Sequence, residues 1–130
     1  VGAVAVTAGA VQVFARRGEP AAGITLEGTT SRAEEALRQQ HWATPPGDNV
    51  RDLTAEGLAR WPDDARWQAL RARAADALVS QAVEQQAIGE VAEALKTARL
   101  ALELDPEDRS ANRLVEKLEA AQAEAERVQP

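Results

Sequence analysis

The chain has no cysteine and no tyrosine, and aromatic residues make up only 3% of its 130 residues. Without cysteine it has no disulfide framework, no thiolate nucleophile and no cysteine-based zinc site. Sandwiches and barrels rely on aromatic and β-branched residues, so the scarcity of aromatics argues against an all-β fold. Alanine dominates instead, and because alanine is the strongest helix former the composition predicts packed helices.

Positive charge is also scarce, since 15 basic residues face 21 acidic ones and the formal net charge is −6. Such a chain lacks the basic footprint of a nucleic-acid-binding protein, so no nucleic acid is expected as a partner. Most of its basic residues are arginines, which together with the alanine content favours a bacterial source.

Residues that could carry chemistry are equally few. His41 is the only histidine, so a metal cluster around it would need carboxylates alone, and a surface or packing role is expected. The acidic pairs Asp63-Asp64 and Glu107-Asp108 follow prolines and precede predicted helices, which is typical of N-caps. Glycine-rich phosphate loops and Ser-His-Asp arrangements are missing. We therefore expect no enzyme activity, no cofactor and no metal.

The uncharged stretch at the start of the chain allows three interpretations. Residues 1–17 comprise VGAVAVTAGAVQVFA and two arginines, and they could be the end of a membrane helix or of a signal sequence. A short buried strand or hairpin and a disordered leader are the alternatives. Residues 18–30 are rich in glycine, proline and threonine and are predicted to be a linker, followed by a helical domain over residues 31–130.

From Ser31 onward the sequence predicts an all-α fold of about five helices packed as antiparallel neighbours. Ser31, with Glu34 three residues later, is expected to cap the first helix. Breaks are predicted at Pro45-Pro46, Pro62, Gly89 and Pro106. The last helix carries an apolar stripe of Ala111, Leu114, Leu118, Ala121, Ala125 and Val128, of the kind that covers a neighbouring helix pair.

Self-comparison shows one helical hairpin repeated. When Leu58–Leu78 is aligned with Leu102–Gln122, five positions are identical: Leu58 and Leu102, Pro62 and Pro106, Asp64 and Asp108, Leu70 and Leu114, Ala77 and Ala121. Repeats of this length predict helical hairpins that stack on one another.

The second unit resembles a tetratricopeptide repeat. That family has a glycine at the turn between its two helices, small residues at two positions of its second helix, and a proline after it. In the segment GEVAEALKTARLALELDPED these places are held by Gly89, Ala94, Ala101 and Pro106. The resemblance covers Ala82 to Val115; the earlier unit has Val50 and Gly57 where alanine is expected, and its spacing is longer than the family's period.

The resemblance implies a right-handed superhelical array that binds a protein or peptide along the first helices of its hairpins. Carried over to the third helix, the groove residues are Asp76, Val79, Val83, Gln86 and Ala87. The basic and asparagine side chains that hold a terminal carboxylate in some family members are missing from these positions, so a ligand with a free C-terminus is not expected. Intramolecular packing is the alternative role for Val79 and Val83.

Two functions follow from the sequence. The first is a scaffold module that docks a partner protein within a bacterial, membrane-associated or cell-envelope assembly, tethered through residues 1–17. The second is a self-associating structural or regulatory tail of a larger enzyme or receptor kinase, which would make the chain a homo-oligomer.

Overall fold

The computed structural model describes residues 24–128 of the chain. They form five helices: α1 Leu26–Arg38, α2 Val50–Arg60, α3 Arg66–Ala87, α4 Val91–Leu104 and α5 Arg109–Arg127. The described part contains no strand, so the all-α prediction is confirmed. The predicted hydrophobic segment, residues 1–17, lies outside the described residues.

Helix α1 begins earlier than the sequence predicted. Its N-cap is Thr25, whose hydroxyl accepts a hydrogen bond from the N–H of Gly28 at 2.9 Å. Ser31 therefore lies inside the helix and not at its start, and the end of the predicted linker is helical. Thr30 is buried, and its hydroxyl donates to the carbonyl of Leu26 at 2.7 Å. Because its hydroxyl has a hydrogen-bond partner within the helix, Thr30 can be buried there. The segment is therefore helical although its composition is typical of a linker.

The same turn ends α1 and α3. In both, the second residue after the helix has a positive φ, 61° at Gln40 and 88° at Gly89. The N–H of the following residue donates to a carbonyl five residues earlier, at 2.9 Å in each case. This is the hydrogen-bond pattern of a Schellman motif, which stops a helix and turns the chain back.

The ends of α2 and α4 also match one another. The capping residues, Trp61 and Asp105, donate their N–H to the carbonyl four residues earlier, at 2.7 and 2.9 Å. Pro62 and Pro106 follow, and in both turns the acidic residue two positions after the proline donates its N–H back to the carbonyl of the capping residue at 3.1 Å. Two helical hairpins, α1–α2 and α3–α4, thus close with the same pair of turns.

Two positions of α2 have the same environment as their counterparts 44 residues later in α4. Val50 and Ala94 are both fully buried, and so is Ala101, whose counterpart Gly57 is buried as well. The small side chains on α4 let α3 and α4 pack closely, as the sequence predicted for a paired hairpin.

Each helix packs on the next one in the chain, and α3 also contacts α1 and α5. Arg71 of α3 joins the first hairpin to the second, since its Nε donates to Oγ1 of Thr54 at 2.7 Å and its Nη2 to the carbonyl of Arg51 at 3.2 Å. Burial lowers the pKa of Arg71 below its ordinary value. The two hydrogen bonds from its guanidinium link α3 to α2 and so connect the two hairpins.

The core consists of two clusters of buried side chains. The larger surrounds Trp67 and Leu78 and includes residues of all five helices, and the smaller surrounds Leu95 and Leu118 between α3, α4 and α5. Val79 is partly buried and packs against both clusters. The chain is therefore continuous in its packing from α1 to α5.

The predicted stripe on the last helix is only half correct. Ala111, Leu114 and Leu118 are buried against α4 and its neighbours. Ala121 and Ala125 are exposed, and Val128 is 68% exposed. Helix α5 is longer than α4, with 19 residues against 14, so its C-terminal end has no neighbour within the described residues to pack on.

Candidate protein-docking groove

A wide groove of about 740 Å³ is lined by α3 and α5. We call it the α3/α5 groove, and its lining comprises Val79 and Val83 of α3 with Ser110, Arg113, Leu114, Glu116 and Lys117 of α5. The groove thus lies where the second hairpin meets the helix that follows it.

Two of the five groove residues predicted from the sequence line this groove. Val79 and Val83 do so, whereas Asp76, Gln86 and Ala87 are not part of its lining. Asp76 and Ala87 are exposed elsewhere on α3, and Gln86 is half-buried near the turn, where its carbonyl accepts a hydrogen bond from the N–H of Gly89.

The two valines differ in their burial. Val79 is half-buried and belongs to the packing of both core clusters, so intramolecular packing accounts for part of its surface. Val83 is 48% exposed. Among the large apolar side chains that are exposed in residues 24–128, Ile24, Val83, Ile88 and Val128, Val83 is the one that lies in the groove.

The contribution of α5 to the groove was not predicted from the sequence. Arg113 and Lys117 are exposed and lie one helical turn apart on the side of α5 that faces the groove. The signal was present, because Ser110, Arg113, Leu114 and Lys117 recur at three- and four-residue steps and so share one face of the helix. It was overlooked because the groove was assigned to the third helix alone.

The basic side chains of the groove are free of ion pairs within residues 24–128. Some other exposed basic residues of this region do pair, as Arg99 does with Glu119 at 2.9 Å and Lys96 with Glu93 at 3.3 Å, whereas Arg73 and Arg109 are also without an ion pair there. Arg113 and Lys117 have no carboxylate oxygen within 4.0 Å in the described part. The groove thus offers two basic side chains that form no ion pair within the described residues, beside one carboxylate, Glu116.

The acidic residues and the histidine that were considered for catalysis or metal binding have other contacts in the structure. Asp108 caps α5, since its Oδ1 accepts from the N–H of Ala111 at 3.0 Å. Asp64 accepts from the N–H and the guanidinium of Arg66, and these hydrogen bonds lower the pKa of Asp64 to about 2. His41 lies beside a small cleft of about 210 Å³ at the end of α1. No group of three histidine or acidic residues that could hold a metal ion occurs among residues 24–128.

No helix in the described range is both long and apolar enough to span a membrane. Comparison of the chain with protein-family models, with curated proteins and with solved structures finds no match. The resemblance to tetratricopeptide repeats therefore depends on the residues of the chain itself and on the matching turns of its two hairpins.

Proposed function

We propose that the helical part of this chain is a tetratricopeptide-like module that docks a segment of a partner protein in the α3/α5 groove, without catalysing a reaction. Three observations support the repeat: the aligned prolines, the matching turns at the ends of both hairpins, and the buried small residues on α4. The contacts of α3 with α1 and with α5 support a stacked array, in which the first helices of successive hairpins lie side by side.

The docking role is proposed mainly because the apolar side chain of Val83 is exposed on the floor of the α3/α5 groove. Val79, Val83 and Leu114 contribute that floor, and Val83 keeps 48% of its surface accessible. Burial of apolar surface contributes roughly 25 cal/mol per Å², so a side chain seated on this floor stabilises a complex. A peptide laid along a groove between helices is an established recognition mode.

The experiment begins with a phage-displayed library of random 12-residue peptides, selected on the immobilised protein. Enriched peptides are then synthesised, and their binding is measured by fluorescence polarisation against wild type and Val83→Glu. A carboxylate on the floor should abolish binding because it would be desolvated by the docked peptide. Folding should survive, since Val83 is half exposed, with a change in unfolding free energy within about 0.5 kcal/mol.

The matched control is Ile88→Glu, which introduces the same charge at an apolar side chain that is 72% exposed and outside the groove lining. It should bind the peptides as wild type does. Enriched peptides that bind Val83→Glu undiminished would overturn the groove as the docking site. A library that yields no specific binder at all would speak against a docking function.

Self-association is a second candidate, and the exposed end of α5 favours it. Ala121, Ala125 and Val128 form an apolar stripe without a neighbour among the described residues. If a second copy covers this stripe, light scattering should give a dimer mass that falls to the monomer in Val128→Glu. A monomer at all concentrations would remove this candidate.

A tether through residues 1–17 and a bacterial envelope setting are part of the first proposal and concern the part of the chain outside the described residues.

A further inference from the structure

We infer that the partner segment is acidic and aliphatic and that it is recognised within a chain, without a free C-terminus. This inference rests on the proposed docking function and names the chemistry of its partner. It follows from the unequal sides of the α3/α5 groove, where α3 contributes Val79 and Val83 while α5 contributes Arg113 and Lys117.

The charge of the groove is opposite to that of the protein. The chain has a net charge of −6, yet the groove lining holds two basic side chains against one carboxylate, Glu116. Arg113 and Lys117 have no ion-pair partner within residues 24–128, so both basic groups of the groove are available to a carboxylate of a partner. A patch of this kind attracts carboxylates and repels basic segments.

The geometry sets the pattern of the segment. Residues four apart on a helix are separated by about 6 Å along its axis, which is the spacing of Arg113 and Lys117. In an extended chain, alternate residues lie about 6.6 Å apart on the same side. A segment that alternates acidic and aliphatic residues can therefore direct its carboxylates to α5 and its aliphatic side chains to the valines of α3.

A free C-terminus is not needed for this arrangement. Capture of a terminal carboxylate requires donors that converge on one point, and the α3 side of the groove supplies Val79 and Val83, which have no donor. The two basic side chains lie on one helix and suit carboxylates that are spaced along a segment.

The test uses the peptides enriched in the library selection, synthesised with amidated C-termini. Each is compared with a version in which glutamate and aspartate are replaced by glutamine and asparagine. We expect the enriched peptides to be acidic, the neutral versions to bind about 5-fold or more weakly, and binding to weaken further as salt is raised, because the ion pairs are exposed. Amidation should leave the affinity unchanged within about 2-fold.

The protein side of the test is the double variant Arg113→Glu with Lys117→Glu. Both residues are exposed, so folding should persist, and binding should fall about 10-fold or more because like charges then face one another. The matched control, Arg73→Glu with Lys96→Glu, changes the net charge equally at exposed residues outside the groove and should retain affinity within about 2-fold. If the first double variant loses its cooperative melt, Arg113→Gln with Lys117→Gln replaces it, with a loss of about 5-fold expected.

The outcomes separate this inference from the proposed function. Peptides that lose binding to Val83→Glu but are neutral or basic, or that tolerate reversal of Arg113 and Lys117, would refute the acidic partner while leaving the docking groove in place. Peptides that bind only with a free C-terminal carboxylate would likewise refute it. Peptides indifferent to Val83 would overturn both.

Discussion

Gly57 lies against the ring of Trp67, and replacing it with alanine is the sharpest test of the packing between α2 and α3. A Cβ atom at position 57 would lie 2.3 Å from Cε2 of Trp67 and 2.4 Å from its Cδ2. Trp67 is fully buried and stacks on Trp61, with ring centroids 6.0 Å apart, so it cannot simply move aside.

The expected sign is opposite to that of helix propensity. Alanine is favoured over glycine inside a helix by about 1 kcal/mol, whereas overpacking a core costs about 1–3 kcal/mol. Because the new contacts are so short, we expect the upper end of that cost and a net destabilisation of about 2 kcal/mol. For a domain of this size the melting temperature should fall by about 10 °C.

Thermal melts followed by circular dichroism at 222 nm and by tryptophan fluorescence measure the effect. In a Trp67→Leu background the smaller, flexible side chain can turn away, so Gly57→Ala should cost less there, with a coupling of about 0.5–3 kcal/mol between the two sites. A melting temperature of Gly57→Ala equal to or above that of wild type would refute the reasoning. The corresponding pair 44 residues later is Ala101 of α4 and Ala111 of α5, both fully buried, so a glycine and a tryptophan between α2 and α3 correspond to two alanines between α4 and α5.

Three further predictions concern stability. Ala101→Phe should cost about 1–3 kcal/mol by overpacking the core, whereas Ala123→Phe, at an exposed position of α5, should leave the melting temperature unchanged; equal effects of the two would contradict the repeat alignment. Asn49→Ala should cost about 0.5–2 kcal/mol in urea unfolding, because Oδ1 of Asn49 accepts from the N–H of Asp52 at 2.8 Å at the start of α2, and an unchanged midpoint would argue against this cap. Hydrogen bonds lower the pKa of Asp64 from 3.8 to about 2, so its stabilising contribution is complete above pH 3.8 and is lost as the pH falls towards 2. In Asp64→Asn the melting temperature should therefore depend less on pH between these two values than it does in wild type. A pH profile identical to wild type would contradict the assignment.

Sequence patterns were sufficient to predict the helices where the apolar period is strong. Helix α3 carries Trp67, Leu70, Ala74, Leu78 and Ala82 at three- and four-residue steps, and all five are buried. The prolines and the glycine between helices marked breaks because their local backbone preferences stop a helix whatever surrounds it.

The start of α1 could not be predicted in this way. Its first turns contain Gly28, Thr29 and Thr30, which have weak helix propensity, and they are helical because Thr25 caps them and the threonines are buried by tertiary packing. Packing overrides propensity here, and a single sequence does not show which neighbour supplies it.

Only the α3 side of the groove could be predicted from the sequence, for a similar reason. Val79 and Val83 follow from the family resemblance, which names positions on one helix. Arg113 and Lys117 come from a helix that is two elements further along the chain, and their place in the groove depends on how α5 packs beside α3. Helix spacing showed that they share a face but not which element that face meets.

The most direct test of the central proposal is to observe where a peptide binds. Methyl-labelled protein would be titrated with a library-selected peptide, and the valine and leucine methyl resonances would be followed by nuclear magnetic resonance. A peptide in the α3/α5 groove should shift Val79, Val83 and Leu114 while leaving Val128 unchanged. Shifts confined to Val128, or a saturating titration that leaves the three groove residues unmoved, would contradict the docking groove.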